Sequence, residues 1–131
     1  MNIIVAGCSG AQNRALVYSI LDYYRLYFTE LVCGMALHWK WQEQLDVGGA
    51  DRFGYDWGML NNVTIKPYYP EWRNGRSAGN VRNGVMAEYA DGLIAFWDRK
   101  SPGTKDMIKK AKKQGLLIAV YDSITGERIE V

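Results

Sequence analysis

The chain has 131 residues, of which 48% are hydrophobic and 23% are charged, a balance typical of a globular protein. This length predicts one compact domain, residues 1–131, that buries a core without the help of disulfides or metals. The disordered, fibrous and disulfide-scaffold classes are therefore excluded. Sixteen Lys and Arg against 14 Asp and Glu give a net charge of +2, which is too small for a dedicated nucleic-acid binder.

The cysteines and the single histidine indicate a metal-free cytoplasmic protein. Cys8 and Cys33 stand beside apolar runs, and we expect both to be buried, reduced thiols. The absence of a Cys/His cluster argues against a zinc site, and no metal or cofactor is expected. No run of apolar residues is long enough to span a membrane, and residues 1–10 lack the features of a signal peptide.

The first half of the chain alternates strands with helices. Ile3–Ala6 is typical of a buried strand of a parallel sheet. Helical spacing of apolar residues then predicts a helix from about Gln12 to Phe28, and Leu31–Gly34 predicts a second strand. The segment Leu37–Gly48 fits no period, and we interpret it as an irregular insertion.

The alternation continues beyond this insertion. Helical spacing returns over Ala50–Leu60, and Val63–Tyr68 predicts a third strand. Pro67 and Pro70 are expected to close this strand, because proline cannot donate to a central ladder. Pro70–Gly79 is predicted to be a loop. A third amphipathic helix is predicted to bury one apolar face, made of Val81, Val85, Met86, Tyr89 and Ala90.

The last third repeats the pattern once more. Gly92–Trp97 predicts a buried fourth strand, and a turn over Asp98–Gly103 leads into a helix with lysines near its end. Gly115 is placed to end that helix. Leu116–Tyr121 predicts a fifth strand, and residues 122–131 form an extension with room for a small edge strand.

Strands alternating with helices predict an α/β fold: a single Rossmann-like, three-layer domain with a mostly parallel five-stranded sheet covered by helices on both faces. Ligands bind such sheets at the carboxyl ends of the strands, near the point where the strand order reverses. Four loops are then candidates for the binding site, namely Gly7–Gly10, Gly34–Gly49, Pro70–Asn83 and Asp98–Thr104.

The loop Asp98–Thr104 resembles a phosphate cradle. Gly103 would let a ligand approach the backbone, and Thr104 adds a hydroxyl beside the free amides of a helix start. The alternative is an ordinary helix start, with Ser101 as the N-cap and Pro102 in the first helical position.

Two other loops carry groups suited to an anionic ligand. The segment Gly75–Asn83 combines two glycines with Arg76 and Arg82, and Arg73 lies just before it; guanidinium groups suit phosphates and carboxylates, although surface arginines of a solvated loop are the alternative. Asp51 either complements a helix dipole or accepts a hydrogen bond from a ribose hydroxyl.

Three motifs together resemble a known family. They are Gly49–Gly54, Gly79–Asn83, and Leu93–Asp98 followed by Ser101, Gly103 and Thr104. Their order resembles the YspA-like branch of the SLOG superfamily, Rossmann-like relatives of the LONELY GUY and DprA proteins. The resemblance implies that the protein binds a nucleotide or a nucleotide-derived ligand through its phosphate group, and that it thereby senses or sequesters this ligand. The ligand-binding residues would be Gly7, Cys8, Ser9, Gly34, Gly49, Asp51, Arg76, Gly79, Arg82, Asn83, Asp98, Ser101, Gly103 and Thr104.

The chain departs from the related LONELY GUY enzymes, which hydrolyse nucleoside monophosphates at the N-glycosidic bond. Their signature Gly-Gly-x-Gly-Thr-x-x-Glu ends in a glutamate, whereas Met107 stands here, and a thioether cannot act as a carboxylate does. Asp106 should face another direction. The resemblance therefore favours binding over catalysis. A phosphoribohydrolase that uses Asp51 or Asp98 remains the first alternative.

The second alternative is DprA-like binding of single-stranded nucleic acid, for which the candidate cations are Arg73, Arg76, Arg99 and Lys100; the small net charge argues against it.

The insertion at residues 37–48 carries His38, Trp39 and Trp41. These side chains could form a cluster on the protein's own surface, a lid over the ligand, or a homo-oligomer contact, and we expect a homo-oligomer.

Overall fold

The computed structural model describes residues 1–8, 13–35 and 49–131, with the backbone alone described for Trp72, Asn74 and Arg76. The elements in chain order are β1 (Asn2–Gly7), α1 (Arg14–Tyr23), β2 (Glu30–Gly34), α2 (Gly49–Leu60), β3 (Thr64–Tyr68), α3 (Ala78–Tyr89), β4 (Gly92–Trp97), α4 (Pro102–Lys113), β5 (Leu117–Asp122) and β6 (Arg128–Ile129). Short 3-10 helices occupy Arg25–Tyr27 and Trp72–Ser77.

The strands form one sheet in the order β3-β2-β1-β4-β5-β6. The first five strands pair in parallel, and β6 pairs antiparallel with β5. The prediction of a Rossmann-like α/β domain with a mostly parallel sheet is confirmed. The sheet has six strands rather than five, because Arg128 and Ile129 of the extension pair with Tyr121 and Val120.

The central strands are buried on both faces, which explains their β-branched sequences. On one face Ile3 and Val5 belong to a core cluster that includes residues of α1 and α2. On the other face Ile4 and Ala6 belong to a cluster that includes residues of α3 and α4. None of the helices that the structure describes combines the length and the apolar composition of a membrane span.

The first helix is shorter than predicted. It begins after Asn13, whose side chain accepts a hydrogen bond from the amide of Leu16 at 3.0 Å, and it ends at Tyr23 rather than at Phe28. The apolar period nevertheless persists beyond the helix, because Tyr24 and Phe28 still pack against the core. Periodicity alone therefore could not place the end of the helix.

The prediction for the third helix was wrong about its buried face. Met86 and Ala90 are buried, but Val81, Val85 and Tyr89 are exposed. The helix also begins at Ala78, inside the predicted loop Pro70–Gly79, which holds a 3-10 helix as well. The face that is buried instead includes small or polar residues such as Ala78, Asn83 and Ala87, which a count of large apolar residues misses.

Candidate functional site

A cavity of about 300 Å³ lies where the strand order reverses, at the carboxyl end of β1 and beside the start of α4. This is the position at which open α/β sheets bind ligands. Its lining consists of Ala6, Gly7, Cys8, Asp51, Arg82, Asn83, Met86, Ser101, Pro102, Gly103, Thr104 and Met107. Eight of the predicted ligand residues are in this set, so segments distant in sequence meet at one place.

The other predicted ligand residues lie elsewhere. Gly34, Gly49, Gly79 and Asp98 are described but do not line the cavity. Ser9 lies outside the described residues, as does the insertion at residues 37–48 with His38, Trp39 and Trp41. The side chain of Arg76 is likewise not described.

Gly7 allows β4 and α2 to pack closely against the end of β1. A Cβ atom at Gly7 would lie 2.4 Å from the carbonyl oxygen of Phe96 and 2.6 Å from the Cβ of Ala50. No other residue fits there without displacing β4 or α2. The close approach sets the first turn of α2 against the end of β1, and this turn carries Asp51.

Asp98 organises the loop before α4. Its Oδ1 accepts hydrogen bonds from the amides of Lys100 at 2.9 Å and Ser101 at 2.7 Å, and the Ser101 hydroxyl donates to Oδ2 at 2.9 Å. These donors, first the Ser101 amide and then the Lys100 amide, lower the pKa of Asp98. Asp98 thus supports the site without lining it.

The start of α4 is left without a side-chain cap. Pro102 occupies its first turn as predicted, but the Ser101 side chain makes no capping hydrogen bond, since its hydroxyl is committed to Asp98. A Cβ atom at Gly103 would meet nothing within 4 Å, so there is open space beside this turn. The first amides of a helix carry partial positive charge and attract anions.

Arg82 brings a buried positive charge to the cavity. Its Nη2 donates to Asn83 Oδ1 at 3.1 Å, whereas Nε and Nη1 are buried and have no hydrogen-bond partner among the described residues. The guanidinium packs against Gly34, where a Cβ atom would lie 2.8 Å from Nη1. Gly34 thus serves the site indirectly. Buried donors without acceptors are unfavourable, so two donors of this guanidinium remain available for an acceptor that the described residues do not supply.

Asp51 provides a carboxyl group in the same cavity. Its side chain is only partly exposed, and the desolvation that accompanies burial raises its pKa to about 7, an effect that the Arg82 guanidinium partly opposes. Nearby, the buried Cys33 has a raised pKa, first because of burial and then because of the charge of Asp51. Cys33 is therefore a poor nucleophile, whereas Asp51 can hold or release a proton near neutral pH.

Asn83 and Met107 line the cavity from α3 and α4, and Asp106 joins the two helices behind it. The buried Asn83 amide donates to the Gly103 carbonyl at 3.3 Å and to Asp106 Oδ2 at 3.0 Å, which fixes α4 against α3. Asp106 also accepts from Lys110 at 2.9 Å and does not line the cavity. Met107 does line it. Met86 lines the cavity as well and was not among the predicted ligand residues, although its position four residues after Arg82 places it on the same side of the helix.

The cations considered for nucleic-acid binding are partly neutralised. Arg73 lies 3.4 Å from Glu71, and Arg99 lies 3.5 Å from Asp122. Lys100 is exposed. Among the candidate cations whose side chains the structure describes, two of the three are therefore paired with carboxylates.

No model of a known protein family matches the chain, and no curated protein matches it significantly. The SLOG resemblance therefore stays a prediction.

Proposed function

We propose that this protein binds a nucleotide or nucleotide-derived ligand by its phosphate, in the cavity between α3 and α4. The observation that carries the proposal is the buried guanidinium of Arg82, whose Nε and Nη1 have no partner among the described residues. A planar guanidinium matches the oxygens of a phosphate group. Bound phosphate would satisfy donors that the empty protein leaves unpaired.

The start of α4 supplies the second part of the phosphate site. Gly103 and Thr104 stand in the first turn of a twelve-residue helix that has no side-chain cap, and both line the same cavity as Arg82. A phosphate there would meet a helix N-terminus and a guanidinium together, a pairing that recurs in phosphate sites.

The size and polarity of the cavity favour a compact ligand. Its volume of about 300 Å³ is at the low end of small-molecule sites, which suits a mononucleotide or a part of a larger nucleotide. Asp51 adds an acceptor for a sugar hydroxyl, and Met86 and Met107 add adaptable apolar surface. The family resemblance points to the same class of ligand.

Calorimetric titration tests this proposal with AMP, ribose 5-phosphate and adenosine as probes. We expect AMP to bind, ribose 5-phosphate to bind more weakly, and adenosine to bind at least tenfold more weakly than AMP. Adenosine binding as tightly as AMP, or no binding by any nucleoside monophosphate, would refute a phosphate-anchored site.

A nucleotide hydrolase is the second candidate, and Asp51 is the observation that favours it. A carboxyl group with a pKa of about 7 inside the cavity is suited to general acid–base catalysis. Asp98, the other carboxylate considered, is committed to its loop and has a lowered pKa. Incubation with nucleoside monophosphates followed by chromatography distinguishes the two candidates, because free base accumulates only if the protein is an enzyme. Asp51→Asn should abolish any such activity.

A further inference from the structure

A smaller pocket adjoins the candidate ligand cavity on a neighbouring face of α3. This side pocket has a volume of about 130 Å³ and is lined by Tyr68, Tyr69, Glu71, Ala78, Val81, Arg82 and Val85. Arg82 lines both the side pocket and the larger cavity. The two spaces therefore meet at the side chain that we propose to bind the phosphate.

The lining of the side pocket is mostly apolar and aromatic. Val81 and Val85 stand one turn apart on α3 and are 59% and 46% exposed, and Tyr69, which follows the end of β3, is 54% exposed. The partly buried Tyr68 ring lies beside the Tyr89 ring, with 6.0 Å between their centroids. Val81 and Val85 were expected to face the core, and contact with a ligand accounts for their exposure instead.

The two spaces offer different chemical groups to a ligand. The larger cavity has the uncapped start of α4 and the Arg82 guanidinium, both of which attract a phosphate. The side pocket includes Glu71, whose carboxylate repels a phosphate, together with aromatic and aliphatic side chains that suit a flat, uncharged ring. This difference favours one orientation, with the phosphate in the larger cavity and a base in the side pocket.

The two volumes agree with this orientation. Complete small-molecule sites occupy roughly 300–1,000 Å³. The larger cavity, at about 300 Å³, is at the lower limit of that range, and the side pocket, at about 130 Å³, is too small for a whole nucleotide. The side pocket has room for a fragment such as one planar ring system.

We propose that the side pocket is the base subsite of the nucleotide site, where a nucleobase stacks on Tyr69 and packs against Val81 and Val85. This inference rests on the proposed function, because the phosphate is held beside Arg82 in the larger cavity. The sugar then lies where the two spaces meet. Every base has a π face that can stack on an aromatic ring. The subsite therefore distinguishes a nucleotide from a bare sugar phosphate and tolerates a change of base.

Calorimetric titration of the full chain with AMP and with ribose 5-phosphate tests the subsite. Ribose 5-phosphate has the phosphate and the sugar but no base, so it reports on the larger cavity alone. We expect Tyr69→Ala to raise the AMP dissociation constant about fivefold or more and to leave the ribose 5-phosphate constant unchanged. Tyr69→Phe keeps the ring face and should bind AMP as tightly as the parent protein does.

Tyr27→Ala is the matched control, because Tyr27 is exposed to a similar extent, at 59%, and lines neither space. It should leave both dissociation constants unchanged, and circular dichroism checks that each variant is folded. Three results would overturn the subsite while AMP still binds: full AMP affinity in Tyr69→Ala, an equal loss of ribose 5-phosphate affinity in that variant, or the same loss of AMP affinity in Tyr69→Phe. If no nucleoside monophosphate binds the parent protein, the proposed function itself fails, and the subsite fails with it.

Discussion

Replacement of Arg82 separates a ligand-binding role from a structural one. Arg82→Ala removes the two buried nitrogens that lack partners and one hydrogen bond from Nη2 to Asn83. A hydrogen bond to a charged group contributes about 1.5–3 kcal/mol. We therefore expect AMP to bind about 10- to 150-fold more weakly.

The empty protein should respond differently to the same change. The substitution removes a buried charge whose donors are partly unsatisfied, which offsets the loss of one hydrogen bond and of packing against Gly34. The free energy of unfolding should fall by less than the free energy of binding. Arg82→Lys keeps the charge but loses the planar fork, so its affinity should be intermediate.

Calorimetry gives the affinities, and urea unfolding gives the stabilities. Arg25→Ala is a control, since Arg25 donates hydrogen bonds to Asn61 and does not line the cavity; it should leave AMP affinity unchanged. If Arg82→Ala weakens the empty protein by as much as it weakens AMP binding, Arg82 is structural and the reasoning fails.

Three further changes have distinct expected outcomes. Gly103→Val should abolish AMP binding, because its side chain would fill the open space beside the start of α4. It should cost little stability, because its Cβ meets no protein atom within 4 Å. The control Gly84→Val should keep AMP affinity, and calorimetry that finds equal AMP affinities for the two variants would contradict this. Gly7→Ala should lower the free energy of unfolding by about 1–3 kcal/mol or more, since its Cβ overlaps Phe96 and Ala50, and unchanged urea unfolding would count against the packing described. For Asp51, whose pKa is raised from 3.8 to about 7, the folded state binds the proton more tightly, so stability should be lost as pH rises from about 4 to 7, by at most about 4 kcal/mol. Asp51→Asn should lack this loss, and parallel pH–stability curves for variant and parent would exclude the raised pKa.

The fold was predictable because its signals are local and repeated. Short apolar runs such as Gly92–Trp97 became central strands. Gly115, with a φ of 74°, lies just beyond the end of α4 at Lys113, as expected. The exposed face of α3 was not predictable, because a buried Asn83 is stabilised by hydrogen bonds to α4 that only the tertiary structure creates.

The candidate site was predictable in position but not in chemistry. Topology indicated the loops that meet at the strand ends, and Arg82, Gly103 and Thr104 do line one cavity. The sequence could not show that Gly34 would make room for a buried guanidinium. Nor could it distinguish the roles of the two carboxyl groups. Asp98 accepts hydrogen bonds from amides of its own loop, whereas Asp51 lines the cavity.

The most direct test of the proposed phosphate site is a titration with AMP followed by two-dimensional ¹H–¹⁵N NMR of the full chain. We predict that the largest shifts fall on the backbone amides of Gly103 and Thr104 and on the Nε–H of Arg82, which are grouped around one cavity. Shifts confined to residues that do not line this cavity, or no shifts at millimolar AMP, UMP, GMP and CMP, would contradict nucleotide binding at the start of α4.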